Sequence, residues 1–252
     1  MRAAIHQPQY FPYPGFFHKL AMSDVFVIMD DAQYDKRYTN RNQIITPNGP
    51  IWISIPINKK QKFSPNNEVE INNEIPWAAL HWKQLQLSYN NSKFFSMYKN
   101  YFQDIYARKW EKLFDLDFET LRQVIAWLDI KVEIVKESTL GIKKNSTERL
   151  VEVCKAVGAS EYVAGSGSKN YMDENLFVRN NIKVVYQKYL PIIYPQRLSR
   201  TFVPNLSIID LLANMGPESA MMIRNPNSIS VSRLELGLEY VNSILGGSNG
   251  TH

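Results

Sequence analysis

Cysteine is almost missing from this chain: Cys154 stands alone among 252 residues. One thiol forms no internal disulfide, and one cysteine with four scattered histidines shows no metal-ligand spacing, so disulfide scaffolds and zinc modules are excluded and no metal is expected. No apolar run approaches the roughly 20 residues of a membrane helix. The start, MRAAIHQPQYFP, turns polar and proline-containing too early for a secretory h-region of roughly 7–15 residues, which makes a cytoplasmic protein the expectation. Basic residues are not gathered into an arm or a helix face, and zinc-finger, basic-zipper and RNA-recognition signatures are missing. The net charge of +5 therefore points to a small phosphate-bearing ligand in preference to DNA, with tRNA ranked lower. No strand-to-helix context for a G-x-S-x-G nucleophile elbow and no nucleophilic-cysteine context occurs, which disfavours acyl-enzyme chemistry.

What is there is 44% hydrophobic residues, 12% aromatics and 13 prolines, with a mean hydropathy of -0.31. That composition builds a folded core. Short β-type runs alternate with helical patterns: residues 2–5, a short helix between Gly15 and Ser23, then residues 25–29. Residues 51–57 place four isoleucines at period two, a half-buried strand that Pro56 assigns to a sheet edge. Residues 74–112 form an aromatic-rich helical insertion. A helix over 118–128 is expected behind an Asp117 cap, then a strand over 131–136. The next helix opens on a capping-box variant, Asn145 with Glu148, runs through Leu150, Val153, Cys154 and Val157, and stops at Gly158. Strands at 161–164 and 182–187 flank a short helix near 173–179. Ser207 with Asp210 opens a helix to Met215, and a long helix spans about Arg233 to Leu245. The expected fold is a single α/β domain over 1–245, a mostly parallel sheet flanked by helices and nucleotide-binding-like, with a flexible tail at 246–252.

The candidate site residues cluster after the strands, where ligands bind parallel sheets. His6 and Gln7 follow the first strand in a loop fixed by three prolines, with Tyr10 beside them, and the helix after Gly15 offers free N–H groups. Asp30 and Asp31 end the second strand. Asn40-Arg41-Asn42 pairs a guanidinium fork for phosphate or carboxylate with amides for sugar hydroxyls. His81, one turn after Trp77 at the border of an apolar helix face, is a second candidate acid–base histidine beside the reading of a semi-buried structural one. Gly165-Ser166-Gly167-Ser168-Lys169 offers small residues and one cation to an anion, without P-loop or full dinucleotide-fingerprint spacing. Gln196 lies in the segment Tyr194-Pro195-Gln196-Arg197.

Together HQPQYFPYPGFFHK, DVFVIMDDAQY, YTNRNQI, WISIPI, ERLVEVCKAVGASEYVAGSGSKNY and YPQ followed by FVPNLSIIDLLANMG resemble the WbqC-like protein family over about residues 5–216. The resemblance implies a bacterial protein of O-antigen or other surface-polysaccharide gene clusters. It also implies a role in attaching glycine or a related acyl group to an amino sugar. A pattern-level likeness, strand, proline loop, glycine, helix, strand, is similar to HxGH-type nucleotide-binding proteins, which include adenylating amide ligases. Here the place reads Tyr13-Pro14-Gly15-Phe16, and His6 and His18 only flank it.

The expected function is thus transfer of an acyl group to the amine of a nucleotide-linked amino sugar. His6, Asp30 and His81 are its catalytic candidates: His6 as general base, Asp30 as its orienter or as amine binder. Gln7, Tyr10, Asn40, Arg41, Asn42, Gly165, Lys169 and Gln196 are binding candidates, Arg41 and Lys169 for phosphate. No resident cofactor is assigned. The donor is an aminoacyl-tRNA, an acyl thioester or an ATP-derived adenylate. An ATP-dependent ligase or nucleotidyltransferase and a non-catalytic sugar-nucleotide-binding protein are the alternatives.

Overall fold

The computed structural model describes residues 1–58, 61, 63–170 and 172–226. The helix expected near 233–245 and the tail lie outside the described residues. Five short strands, β1 (Arg2–His6), β2 (Val25–Ile28), β5 (Glu133–Lys136), β6 (Glu161–Ala164) and β7 (Lys183–Tyr186), make one wholly parallel sheet in the order β5-β2-β1-β6-β7. The chain winds outward from β1 through β2 to β5, then returns to the other side of β1 with β6 and β7. That reversal puts a topological switch point between β1 and β6. It is visible in the register: β6 pairs with β1 only as far as Ala4↔Val163, whereas β2 continues to His6↔Ile28.

Alternation along the strands sends side chains into two cores. Ala4, Phe26, Ile28 and Val163 face one side, packed with Phe16, Phe17 and Leu20 of α1 (Pro14–Ala21). Ala3, Ile5, Val25 and Val27 face the other, against Val151 and Cys154 of α5 (Ser146–Ala156) and Phe177 of α6 (Glu174–Arg179). Both faces covered is what nearly unbroken apolar strands such as Val25-Phe26-Val27-Ile28 require. Cys154 is buried core.

Between β2 and β5 the chain first makes an antiparallel hairpin, β3 (Arg41–Thr46) with β4 (Gly49–Ser54). The Asn40-Arg41-Asn42 segment, a binding candidate for which no strand was expected, therefore enters one, and the isoleucine-rich run pairs with it rather than joining the main sheet. Helices α2 (Trp77–Tyr89), α3 (Phe95–Ala107) and α4 (Leu113–Trp127) follow. The first two supply the aromatic insertion, in which Phe95 stacks on Phe102 and Tyr98 meets Trp127. Last come α7 (Ile208–Met215) and α8 (Glu218–Arg224), which packs on α1. Among the described residues no helix is long and apolar enough to cross a membrane.

Three caps differ from expectation. Asp117 lies inside α4, which starts at Leu113; it is buried, both its carboxylate oxygens lack partners among the described residues, and burial drives its pKa well up. Asn145 does occupy the N-cap position of α5, but its side chain makes no capping bond. Ser207 caps α7 through Ile209 N–H, whereas Asp210 does not close a box: its Oδ2 accepts from Tyr194 Oη at 2.8 Å. Gly158 ends α5 as expected, at φ 69°.

Candidate functional site

A cleft of about 1200 Å³ opens at the carboxyl ends of the parallel strands, over the switch point. Ile5, His6, Gln7, Pro8 and Gln9 enter it from the end of β1, and Met29 and Ala32 from β2. Asp35, Arg37, Tyr38, Gln43 and Trp52 make one wall, the first turn of α5 another. Tyr189, Pro191, Pro204 and Asn205 of the segment after β7 close over it. The lining mixes aromatic rings and carboxamides with prolines, hydroxyls and the charged Asp35, Arg37 and Arg149, and its rings and amides suit planar bases and sugar hydroxyls.

His6 has a defined tautomer. Its Nδ1 lies 3.0 Å from the Gln7 carbonyl, which can only accept, so Nδ1 carries the proton and Nε2 keeps its lone pair. The ring packs edge-on against Phe16. Burial, reinforced by the Lys19 charge, lowers its pKa to about 4, so the imidazole is neutral near pH 7. Lys19 is itself buried, its Nζ 2.9 Å from the Ile5 carbonyl, and burial lowers its pKa to about 8. Next to His6, Gln7 carries a buried Oε1 without a partner.

Of the other expected residues, only Asn42 reaches the cleft, and its amide is already engaged with the Phe11 and Tyr10 carbonyls at 2.7 and 3.3 Å. It shapes the loop that carries His6. Asp30 does not orient His6: its carboxylate takes Ser138 N–H at 2.9 Å and Ser138 Oγ at 2.6 Å, tying the end of β5 to the end of β2. His81 is removed from the cleft, buried against Trp77 and Tyr106, with Nδ1 3.0 Å from Tyr10 Oη. Burial lowers its pKa to about 4, and it serves with Tyr10 as a core hydrogen-bonding pair. Asn40 donates to the Ile55 carbonyl at 2.7 Å, inside the hairpin's base. Arg41 lies over Trp52, not over an anion site. Gly165 precedes a short 3-10 turn (Ser166–Asn170) outside the cleft lining, its carbonyl accepting from Ser168 Oγ, and Lys169 sits over the Tyr186 ring, 4.5 Å from its centroid. Gln196 clasps Val203 through both ends of its amide, each bond 2.8 Å, and so holds the closing segment in shape. The N-terminus of α1 is likewise covered rather than open: Gly15 is packed under the Tyr13 and Tyr189 rings, and Gln187 Nε2 bridges the Gly15 carbonyl to His18 Nδ1.

Sequence reasoning missed Tyr38, Trp52, Arg149, Tyr189 and Asn205 as cleft residues. Arg149 lines the cleft while bound at 2.5 Å to both Asp31 and the fully buried Glu137. Asp31 and Arg149 sit in the DDAQY and ERL segments and Glu137 just after the strand over 133–136, and nothing in their spacing announces that they meet.

An uncharacterized protein of Mycobacterium tuberculosis, Rv1507c, is 32% identical over 225 residues, covering 88% of this chain and 97% of its own length. No solved structure matches. The WbqC-like protein family model matches residues 7–222, from the loop after β1 into α8, so this chain belongs to the WbqC-like protein family.

Proposed function

We propose that the protein is a transferase that joins glycine or another acyl group to the amine of a nucleotide-linked amino sugar held in the cleft. The observation that carries this reading is the neutral His6 imidazole, its Nε2 lone pair unengaged, at the switch point of a parallel sheet whose crevice is lined by rings and amides. When the sugar amine attacks the donor carbonyl, a C–N bond forms and the nitrogen becomes strongly acidic. His6 Nε2 takes its proton. The adduct then collapses, the bond from carbonyl carbon to the donor's oxygen or sulfur breaks, and the imidazolium returns the proton to that leaving atom. A histidine of low pKa suits this step, because it is unprotonated beforehand and releases the proton readily afterwards.

The test supplies nucleotide-linked amino sugars with glycine, ATP and magnesium, with glycyl-tRNA, or with a glycyl thioester, and follows mass. The expected result is a glycyl amide with one donor class, lost in His6→Ala while the fold persists. Saturable binding with no product from any donor would replace the transferase by a sugar-nucleotide-binding protein. A second reading, an ATP-dependent ligase, is favoured by the strand order, which matches that of dinucleotide-binding sheets around a switch point. It predicts pyrophosphate release that requires the amino-sugar acceptor.

A further inference from the structure

The antiparallel hairpin presents an aromatic arrangement that packing does not require. Trp52 is 43% exposed and Tyr38 49% exposed, although both line the cleft. The other four tryptophans are buried or half-buried. Large rings left in water at a cleft wall forgo burial that a ligand would supply. The surroundings hold Trp52 in place. In the hairpin register Gln43 lies opposite Trp52 and Arg41 opposite Ser54, so Arg41, Gln43, Trp52 and Ser54 share one face. The diagonal Arg41 guanidinium sits 4.5 Å from the Trp52 ring centroid, and its Nε is fixed by the Arg37 carbonyl at 3.0 Å. Tyr38 lies 6.2 Å from Trp52 at an interplanar angle of 44°. Its own carbonyl accepts from Tyr10 N–H at 3.3 Å, which couples this wall to the loop that carries His6.

We propose that Trp52 and Tyr38 form a nucleobase-stacking subsite, with Gln43 beside it to read the edge of the base, so that a nucleotide-linked ligand lies along the cleft with its base at the hairpin and its transferable end toward His6. A planar, electron-poor ring is the chemistry that fits: Arg41 covers one face of the indole and locks it, and the exposed remainder of the two rings offers π-surface to the ligand. This rests on the nucleotide-linked substrate of the preceding subsection, and it adds which end of the ligand goes where.

Trp52 is the most exposed of the five tryptophans, so a ligand-dependent emission change that Trp52→Phe abolishes is assigned to this wall. Uridine, thymidine, guanosine and adenosine diphosphates are titrated into the full chain, with inorganic pyrophosphate and ribose 5-phosphate as baseless controls, and affinity is measured in parallel by calorimetry. At least one nucleotide should quench the emission saturably while the baseless compounds do not. Trp52→Ala and Tyr38→Ala should each weaken that nucleotide by roughly ten- to a hundredfold. Trp52→Phe should keep most of the affinity and lose the quench, and unchanged circular dichroism shows that the fold is intact. The subsite is overturned if no nucleotide quenches, or if nucleotides bind and Trp52→Ala matches the parent. An RNA 3′ end that binds more tightly than any free nucleotide, with steep salt dependence, would also overturn the assignment. Quenching without acyl transfer from any donor leaves the subsite standing and defeats the transferase. Transfer that Trp52→Ala does not alter defeats the subsite and leaves the transferase.

Discussion

Asp210→Asn should make the protein's stability less sensitive to rising pH, and the size of the effect follows from the surroundings of one carboxyl. Asp210 sits on α7, fully buried; Oδ2 accepts from Tyr194 and Oδ1 has no partner. Burial raises its pKa from 3.8 to about 6, against the opposing pull of the Tyr194 hydrogen bond. A raised folded-state pKa means that the contribution to stability is complete below the unfolded value and lost as pH climbs through the folded one. Between the two values the unfolded chain has ionised and the folded chain has not. The shift is roughly two pH units at about 1.4 kcal/mol each, so about 3 kcal/mol disappears by neutral pH. Asparagine keeps an acceptor for Tyr194 and cannot ionise. Urea unfolding of both proteins across about pH 4 to 7 should therefore show the variant gaining about 3 kcal/mol on the parent as pH rises, with equal m-values. The offset at the acid end measures any loss of fit and is not diagnostic. A difference that stays flat with pH would refute the reasoning.

Arg149→Met should strand Glu137, whose Oε2 already lacks a partner, and cost about 3–5 kcal/mol by chemical denaturation; a loss under about 1 kcal/mol would show that the pair is not coupled. The His6 ring should titrate near pH 4 by NMR, so transfer should not change through His6 ionisation above about pH 5 and should fall in more acid solution. Gly216 stands at φ 55° with a Cβ position 2.5 Å from Phe94 Cγ, so Gly216→Ala should combine backbone strain with overpacking and cost about 2–4 kcal/mol in thermal or urea unfolding. Gly15→Ala, whose Cβ would lie 2.4 Å from Tyr13 and 2.8 Å from Tyr189, should displace two cleft rings. Nucleotide affinity should fall while Gly216→Ala leaves it unchanged.

The parallel sheet was legible because apolar strands and amphipathic helices alternate at a rhythm that few folds share. His6 and Gln7 were legible because ligand crevices lie at the ends of such strands. Both do line the cleft. Asp30, His81, Asn40 and Gln196 were not separable from cleft-lining residues by type, since a polar side chain that satisfies a buried group and one that faces a cleft look the same in sequence. Structure parts them by their partners: Ser138 for Asp30, Tyr10 for His81, Ile55 for Asn40, Val203 for Gln196. Arg41 was misread for a related reason. A guanidinium between amides suits phosphate, but its place diagonal to Trp52 depends on a strand pairing that the Asn-Arg-Asn spacing does not encode.

The residues alone determine the local matters here, because they are decided within a few positions: the strands of the parallel sheet, the helix stop at Gly158, the cysteine-poor chemistry, and the loop that brings His6 to a strand end. Tertiary structure decides everything that requires two distant segments to meet. The Lys19 charge beside His6, Arg149 between Asp31 and Glu137, and the closing segment held by Asp210 and Tyr194 arise only when the sheet reverses at β1 and the chain folds back over the crevice. Local propensity acts over a turn or two, whereas burial, pairing and pKa are set by whatever neighbours the topology delivers.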